Sequence, residues 1–282
     1  MPFITSKATA QPTSLFYEEI GQGRPVVFIH GWPLSSAMWE YQLGAVADAG
    51  FRAIAYDRRG FGRSDHPATG YDYDTFADDL HTLLQELDLR DVTLVGFSMG
   101  GGEVARYVAR HGGDRVHSVA FISAVTPYLL KGPDNPDGVD ADVFKQMKDK
   151  LIEERPAFLE PFAKQFFGSG LLSHPVSQAT LDASLTVAMQ ASKKGTLDCV
   201  DAFSATDFRQ DVAALRLPTL IVHGDADKIV PAEASGQRLA NAVAGSVYKE
   251  YSGAPHALVI THKDDVNRDL VDFLRGRTTS AH

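Results

Sequence analysis

The stretch GFSMGGG, residues 96–102, sets one hydroxyl, Ser98, among four glycines. Glycine weakens regular structure, by about 1 kcal/mol per residue in a helix, so the cluster implies a geometric demand. The run VTLVGF before the serine reads as a buried strand, and GGEVARYVARH after it reads as a helix. Gly96-x-Ser98-x-Gly100 therefore falls at a strand-to-helix junction, where a tight turn lifts the hydroxyl out of a sheet and a Cβ on either side would collide. The helix N-terminus, with its free N–H groups and its dipole, favours negative charge at that point. This is the setting of a nucleophilic serine.

Such a serine needs a base and a group that orients the base, and histidine suits the base role. Among ten histidines, His30 in VFIHGWP and His256 in SGAPHALV sit where strand-like runs end in small-residue turns. His223 in TLIVHGD also ends a run but has acids directly after it. Position favours His256. The acid candidates are Asp225 and Asp227 in HGDADKIVP, because a carboxylate just past a strand end can reach the edge of a sheet where ligands gather. An oxyanion would be held by the N–H after the serine, from Met99, and by one from the HGWPL loop, where Trp32 is placed to donate.

These residues need a scaffold that brings strand ends together. The runs at 25–29, 53–56, 92–97, 118–123 and 219–224 are apolar throughout, as in strands covered on both faces. Between them lie helical patterns at 74–88, with Phe76, Leu80, Leu83, Leu84 and Leu87 on one face, and at 101–111. This alternation predicts an α/β fold with a mostly parallel sheet. It stops near residue 126 in a Pro/Gly/Asp-rich stretch, and 140–212 carries only helical patterns. Residues 1–126 and 213–282 are thus expected to form the core, with 127–212 a helical cap insertion.

Composition narrows the function. A net charge of −9 argues against a nucleic-acid backbone as partner. The single cysteine, Cys199, allows no internal disulfide. The N-terminal segment lacks the basic and apolar regions of a signal peptide, and no apolar run approaches the roughly 20 residues of a membrane helix. A cytoplasmic protein without membrane contact is expected.

Taken together, FYEEIGQGRPVVFIHGWPLSSAMWEYQ, AIAYDRRGFGRSD, YDYDTFADDL, VTLVGFSMGGGEVARYVARHG, HGDADKIVP and APHAL resemble the α/β-hydrolase fold serine hydrolases. Within these they resemble the cofactor-free haloperoxidase, or perhydrolase, and aryl esterase group. The resemblance implies the triad Ser98, Asp227 and His256, with Asp227 chosen over Asp225 by the pattern Gly224-x-x-Asp227. It implies Trp32 and Met99 as oxyanion donors, no metal and no haem. It also implies a small ester or acid substrate, hydrogen peroxide as a second substrate, and a homo-oligomer. By the resemblance, Pro33 after Trp32 points to perhydrolysis as a side activity of ester cleavage. Ala257-Leu258 stands where relatives often carry Gly-Phe. Phe97, Val125, Phe144, Phe158, Phe162, Ile229, Val230 and Leu258 are expected to line the substrate pocket. Lactone or amide hydrolysis, or acyl transfer, could use the same residues, and the fold could also serve a non-catalytic binding protein.

Overall fold

The computed structural model describes residues 2–171 and 173–277; residues 1, 172 and 278–282, part of the expected core and cap ranges, lie outside it. Among the described residues the strands are β1 (Phe3–Ser6), β2 (Thr13–Ile20), β3 (Pro25–Ile29), β4 (Arg52–Tyr56), β5 (Val92–Phe97), β6 (Val116–Ile122), β7 (Thr219–Gly224) and β8 (Val247–Tyr251). They form one sheet in the order β1-β2-β4-β3-β5-β6-β7-β8. From β4 to β8 all neighbours are parallel. β1 pairs antiparallel with β2, and β2 antiparallel with β4. The expected mostly parallel α/β sheet is therefore observed. Every residue of β5 and β7 is buried, which is why these runs are apolar without alternation.

The helices are α1 (Glu40–Asp48), α2 (Tyr73–Glu86), α3 (Met99–His111), α4 (Ala141–Phe166), α5 (Gln178–Gln190), α6 (Lys193–Ala205), α7 (Arg209–Ala213), α8 (Gly236–Ala242), α9 (Leu258–Thr261) and α10 (Lys263–Leu274). Helix α2 starts where Asp72 caps the Thr75 N–H at 2.9 Å and buries Phe76, Leu80, Leu83 and Leu84, the face read from the sequence. Among the described residues, α4 to α7 fill the chain between β6 and β7 without a strand. Helix α4 breaks at Glu154, where φ is −151° and ψ 92°, just ahead of Pro156. Phe144, Leu151, Leu159 and Phe166 of α4 are buried in the same continuous apolar core as the sheet.

The glycines answer to close approach rather than to unusual dihedrals. A Cβ on Gly96 would stand 2.5 Å from the Gly100 oxygen, and one on Gly100 would stand 2.4 Å from the Ile29 oxygen. Their absence lets α3 start directly against the ends of β3 and β5. The strain falls on Ser98 itself, held at φ 53° and ψ −118°.

Candidate active site

Ser98 follows the last residue of β5 and precedes the first of α3. The turn is pinned by Ser98 N–H to the Ile122 carbonyl (2.9 Å) and by Gly101 and Val125 N–H groups to the Ser98 carbonyl (3.0 and 3.2 Å). Its Oγ lies 3.0 Å from His256 Nε2, and His256 Nδ1 lies 2.6 Å from Asp227 Oδ2. A carboxylate only accepts, so Nδ1 carries the hydrogen and Nε2 faces the serine as an acceptor. The His256 ring packs against Phe97 and Phe166, with centroids 4.9 and 5.3 Å away. His256 and Asp227 come from the segments after β8 and β7, so three carboxyl strand ends converge.

Asp227 is buried, and its Oδ1 accepts the N–H groups of Ile229 and Val230, each at 2.9 Å. Burial opposes charge on this carboxyl. The His256 charge and hydrogen bonds from His223 and His256 outweigh that cost and hold it well below the usual carboxylate range. Asp225, the alternative acid, is exposed and accepts the Gly253 N–H at 2.6 Å, away from His256. His223, a candidate base from position, sits fully buried behind Asp227.

His30, the other candidate base, has both ring nitrogens engaged by backbone. Nδ1 donates to the Gly31 oxygen and Nε2 accepts the Arg58 N–H, each at 2.9 Å. Burial, then the Arg58 charge, push its pKa well below the ordinary imidazole value. The ring shapes the loop that leads to Trp32. Among the described residues, neither the Trp32 nor the Met99 backbone N–H has an acceptor within the protein. The Trp32 ring is fixed by its Nε1–H to the Thr196 carbonyl of α6, at 2.9 Å.

Beneath this loop Arg58 ties two elements together. Its Nε donates to Glu103 Oε2 of α3 at 2.8 Å and its Nη2 donates to the His30 carbonyl at 3.0 Å. The Tyr56 hydroxyl donates to Glu103 Oε1. Both charged side chains are fully buried, and burial pushes the Glu103 carboxyl up and the Arg58 guanidinium down. A buried pair contributes little net stability, but losing one partner strands the other charge. Glu103→Ala is therefore expected to lower unfolding stability by about 3–5 kcal/mol, measured by urea denaturation. A loss under about 1 kcal/mol, the worth of a surface pair, would contradict this reading.

A cavity of about 850 Å³ opens above Ser98 and His256. Val125, Phe144, Phe158, Phe162, Ile229 and Val230 line it, together with Trp32. Phe97 and Leu258 do not: each is fully buried in the core below the site. They neighbour Ser98 and His256 in the chain, but the Phe97 ring packs against the His256 ring, 4.9 Å between centroids, rather than facing the cavity. Leu129, Met147 and Phe203 also line the cavity, with Lys150 among its polar residues, and none of these is marked by a motif in the sequence; Lys228 of HGDADKIVP lines it too. Among the described residues no cluster of three or more His, Cys, Asp or Glu side chains could hold a metal ion, and no helix is long and apolar enough to cross a membrane.

Residues 24–263 match the family model for the alpha/beta hydrolase fold. The chain is 48% identical to a non-heme chloroperoxidase of Kitasatospora aureofaciens, over 97% of this chain and 99% of that protein. It is 37% identical to a bifunctional esterase/perhydrolase of Acinetobacter calcoaceticus, over 98% of this chain and 100% of the relative. Among solved structures it superposes on a bromoperoxidase of Bacillus anthracis with a TM-score of 0.93 and 48% identity, over 97% of this chain and 99% of that one. Fold, strand order and sequence agree, and the chain belongs to the α/β-hydrolase fold family.

Proposed function

We propose that this protein is a serine hydrolase of carboxylic esters, working through an acyl-enzyme that either water or hydrogen peroxide can open. The observation that carries the reading is the unbroken chain Ser98 Oγ, His256 Nε2, His256 Nδ1, Asp227 Oδ2, with links of 3.0 and 2.6 Å, on a serine held at φ 53°. His256 Nε2 takes the hydroxyl proton as Ser98 Oγ attacks the ester carbonyl. The oxyanion is met by the Trp32 and Met99 N–H groups. Asp227 holds the imidazole tautomer and stabilises the imidazolium. His256 then gives the proton to the departing alkoxide, leaving the acyl group on Ser98.

Water, deprotonated by His256, returns the free acid. Hydrogen peroxide in the same place yields a peracid, which can oxidise halide in solution. The names carried by the relatives, non-heme chloroperoxidase and esterase/perhydrolase, support both outcomes. Segment 127–212 acts as a cap, its Phe144, Phe158 and Phe162 forming apolar walls suited to small or aryl acyl groups. With chelator present, the enzyme is expected to form peracetic acid from acetate and hydrogen peroxide, read by peracid-dependent oxidation of bromide, and Ser98→Ala is expected to lose this activity. Peracid formation at the same rate in Ser98→Ala would contradict the acyl-enzyme route.

A further inference from the structure

His223 lies at the end of β7 and is fully buried. Its Nε2 stands 2.9 Å from the Val230 carbonyl oxygen and 3.4 Å from Asp227 Oδ2. Both neighbours only accept, so Nε2 carries the hydrogen and shares it between them. Nδ1 carries none. It is buried without a partner among the described residues and faces Gly236, where a Cβ would stand 2.5 Å away.

An unpartnered buried nitrogen is costly. An aromatic hydrocarbon would fill the same space without it, so what the imidazole adds is a single donor. That donor acts where it matters for the triad. Val230 gives its N–H to Asp227 Oδ1 and its carbonyl to His223, which closes the 227–230 loop around the carboxylate. Oδ2 is left between His223 and His256. These two imidazoles, one from β7 and one from the segment after β8, are the titratable side chains that act on the carboxylate.

We propose that His223 is a positioning residue of the esterase reaction, an imidazole whose Nε2–H holds the 227–230 loop and aims Asp227 Oδ2 at His256 Nδ1. The proposal rests on the triad reading above. With one donor fewer, the 227–230 loop would be held less firmly, and Asp227 Oδ2, its charge no longer shared with His223, would hold the His256 imidazolium more tightly. His223→Phe keeps a ring and removes the donor. His223→Gln places an amide N–H near the position of Nε2.

The test compares kcat, KM and the pH profile of kcat/KM on p-nitrophenyl acetate. His223→Phe is expected to lose about 10- to 100-fold in kcat with KM little changed, the range of a hydrogen bond to a charged group. The acid limb of its profile is expected to move up by roughly one pH unit. His223→Gln is expected to recover both rate and midpoint. If His223→Phe does not fold, His223→Asn, whose amide is too short to reach Oδ2, replaces it. A wild-type midpoint in the donor-less variant, or equal impairment in His223→Gln, would overturn the proposal. Ser98→Ala measured alongside separates the failures. Full activity there sinks the triad, whereas an inactive Ser98→Ala with an unmoved His223→Phe profile sinks only the role of His223.

Discussion

Ser98→Ala is expected to fold like the parent chain and to lose about six orders of magnitude in kcat on p-nitrophenyl acetate, as removal of a triad serine does. The substitution keeps the Cβ, so the packing of the turn at φ 53° is unchanged and only the hydroxyl is lost. The single cysteine cannot replace it: Cys199 is fully buried, and burial pushes its thiol far above the range where it ionises at neutral pH. Residual turnover would come from the oxyanion donors and binding alone. A companion Ser98→Gly separates strain from chemistry. Glycine relieves a positive φ that costs other residues about 1–3 kcal/mol, so this variant is expected to be more stable and equally inactive. Equal stability of Ser98→Gly and the parent would argue against strain at the turn.

Asp227→Asn is expected to fold and to lose about 10⁴-fold in kcat, the cost of inverting the histidine tautomer. The amide oxygen can keep the two N–H bonds from Ile229 and Val230, now 2.9 Å each. The amide nitrogen then takes the place of Oδ2 and points its hydrogens at His256 Nδ1. The imidazole must answer with a bare Nδ1, which moves its hydrogen to Nε2, facing Ser98. A donor there cannot remove the serine proton. The loss should appear in kcat, with KM on p-nitrophenyl acetate nearly unchanged, because Asp227 does not line the cavity. Asp225→Asn is the control: that carboxylate is exposed and bonded to Gly253, and activity should stay within about twofold of wild type, as for surface changes of under 0.5 kcal/mol. Similar losses in the two variants would mean that neither acts through His256.

Much of this arrangement was legible in the residues, for identifiable reasons. β3, β5 and β7 could be read because both faces are buried and the apolar run is continuous. β8 escaped because VYKEY lies at the sheet edge with mostly half-buried side chains, and polar residues break the pattern. β1 and β2 escaped because they join antiparallel at the other edge, where the polar end of β2 is exposed. Gly96 and Gly100 marked Ser98 because close backbone approach leaves no other residue type. Spacing alone left Asp225 and Asp227 open, since both follow β7. The contact that separates them, His256 Nδ1 to Asp227, joins segments 29 residues apart. Phe97, expected in the pocket, ends β5, where side chains alternate between faces, and its ring packs against His256 outside the cavity. Leu258, also expected there, starts α9 and is fully buried in the core instead. Met147 of α4 and Phe203 of α6 are not legible in the sequence, because the helix face that meets the cavity depends on how these helices pack.

The most direct test of covalent catalysis on Ser98 is a rapid-mixing experiment with p-nitrophenyl acetate, quenched in acid and followed by peptide mass spectrometry. The expected result is a burst of one p-nitrophenol per chain, with one acetyl group on the peptide that carries Ser98. Steady release with no acetylated Ser98, at full wild-type turnover and at an acid quench faster than that turnover, would contradict the acyl-enzyme mechanism.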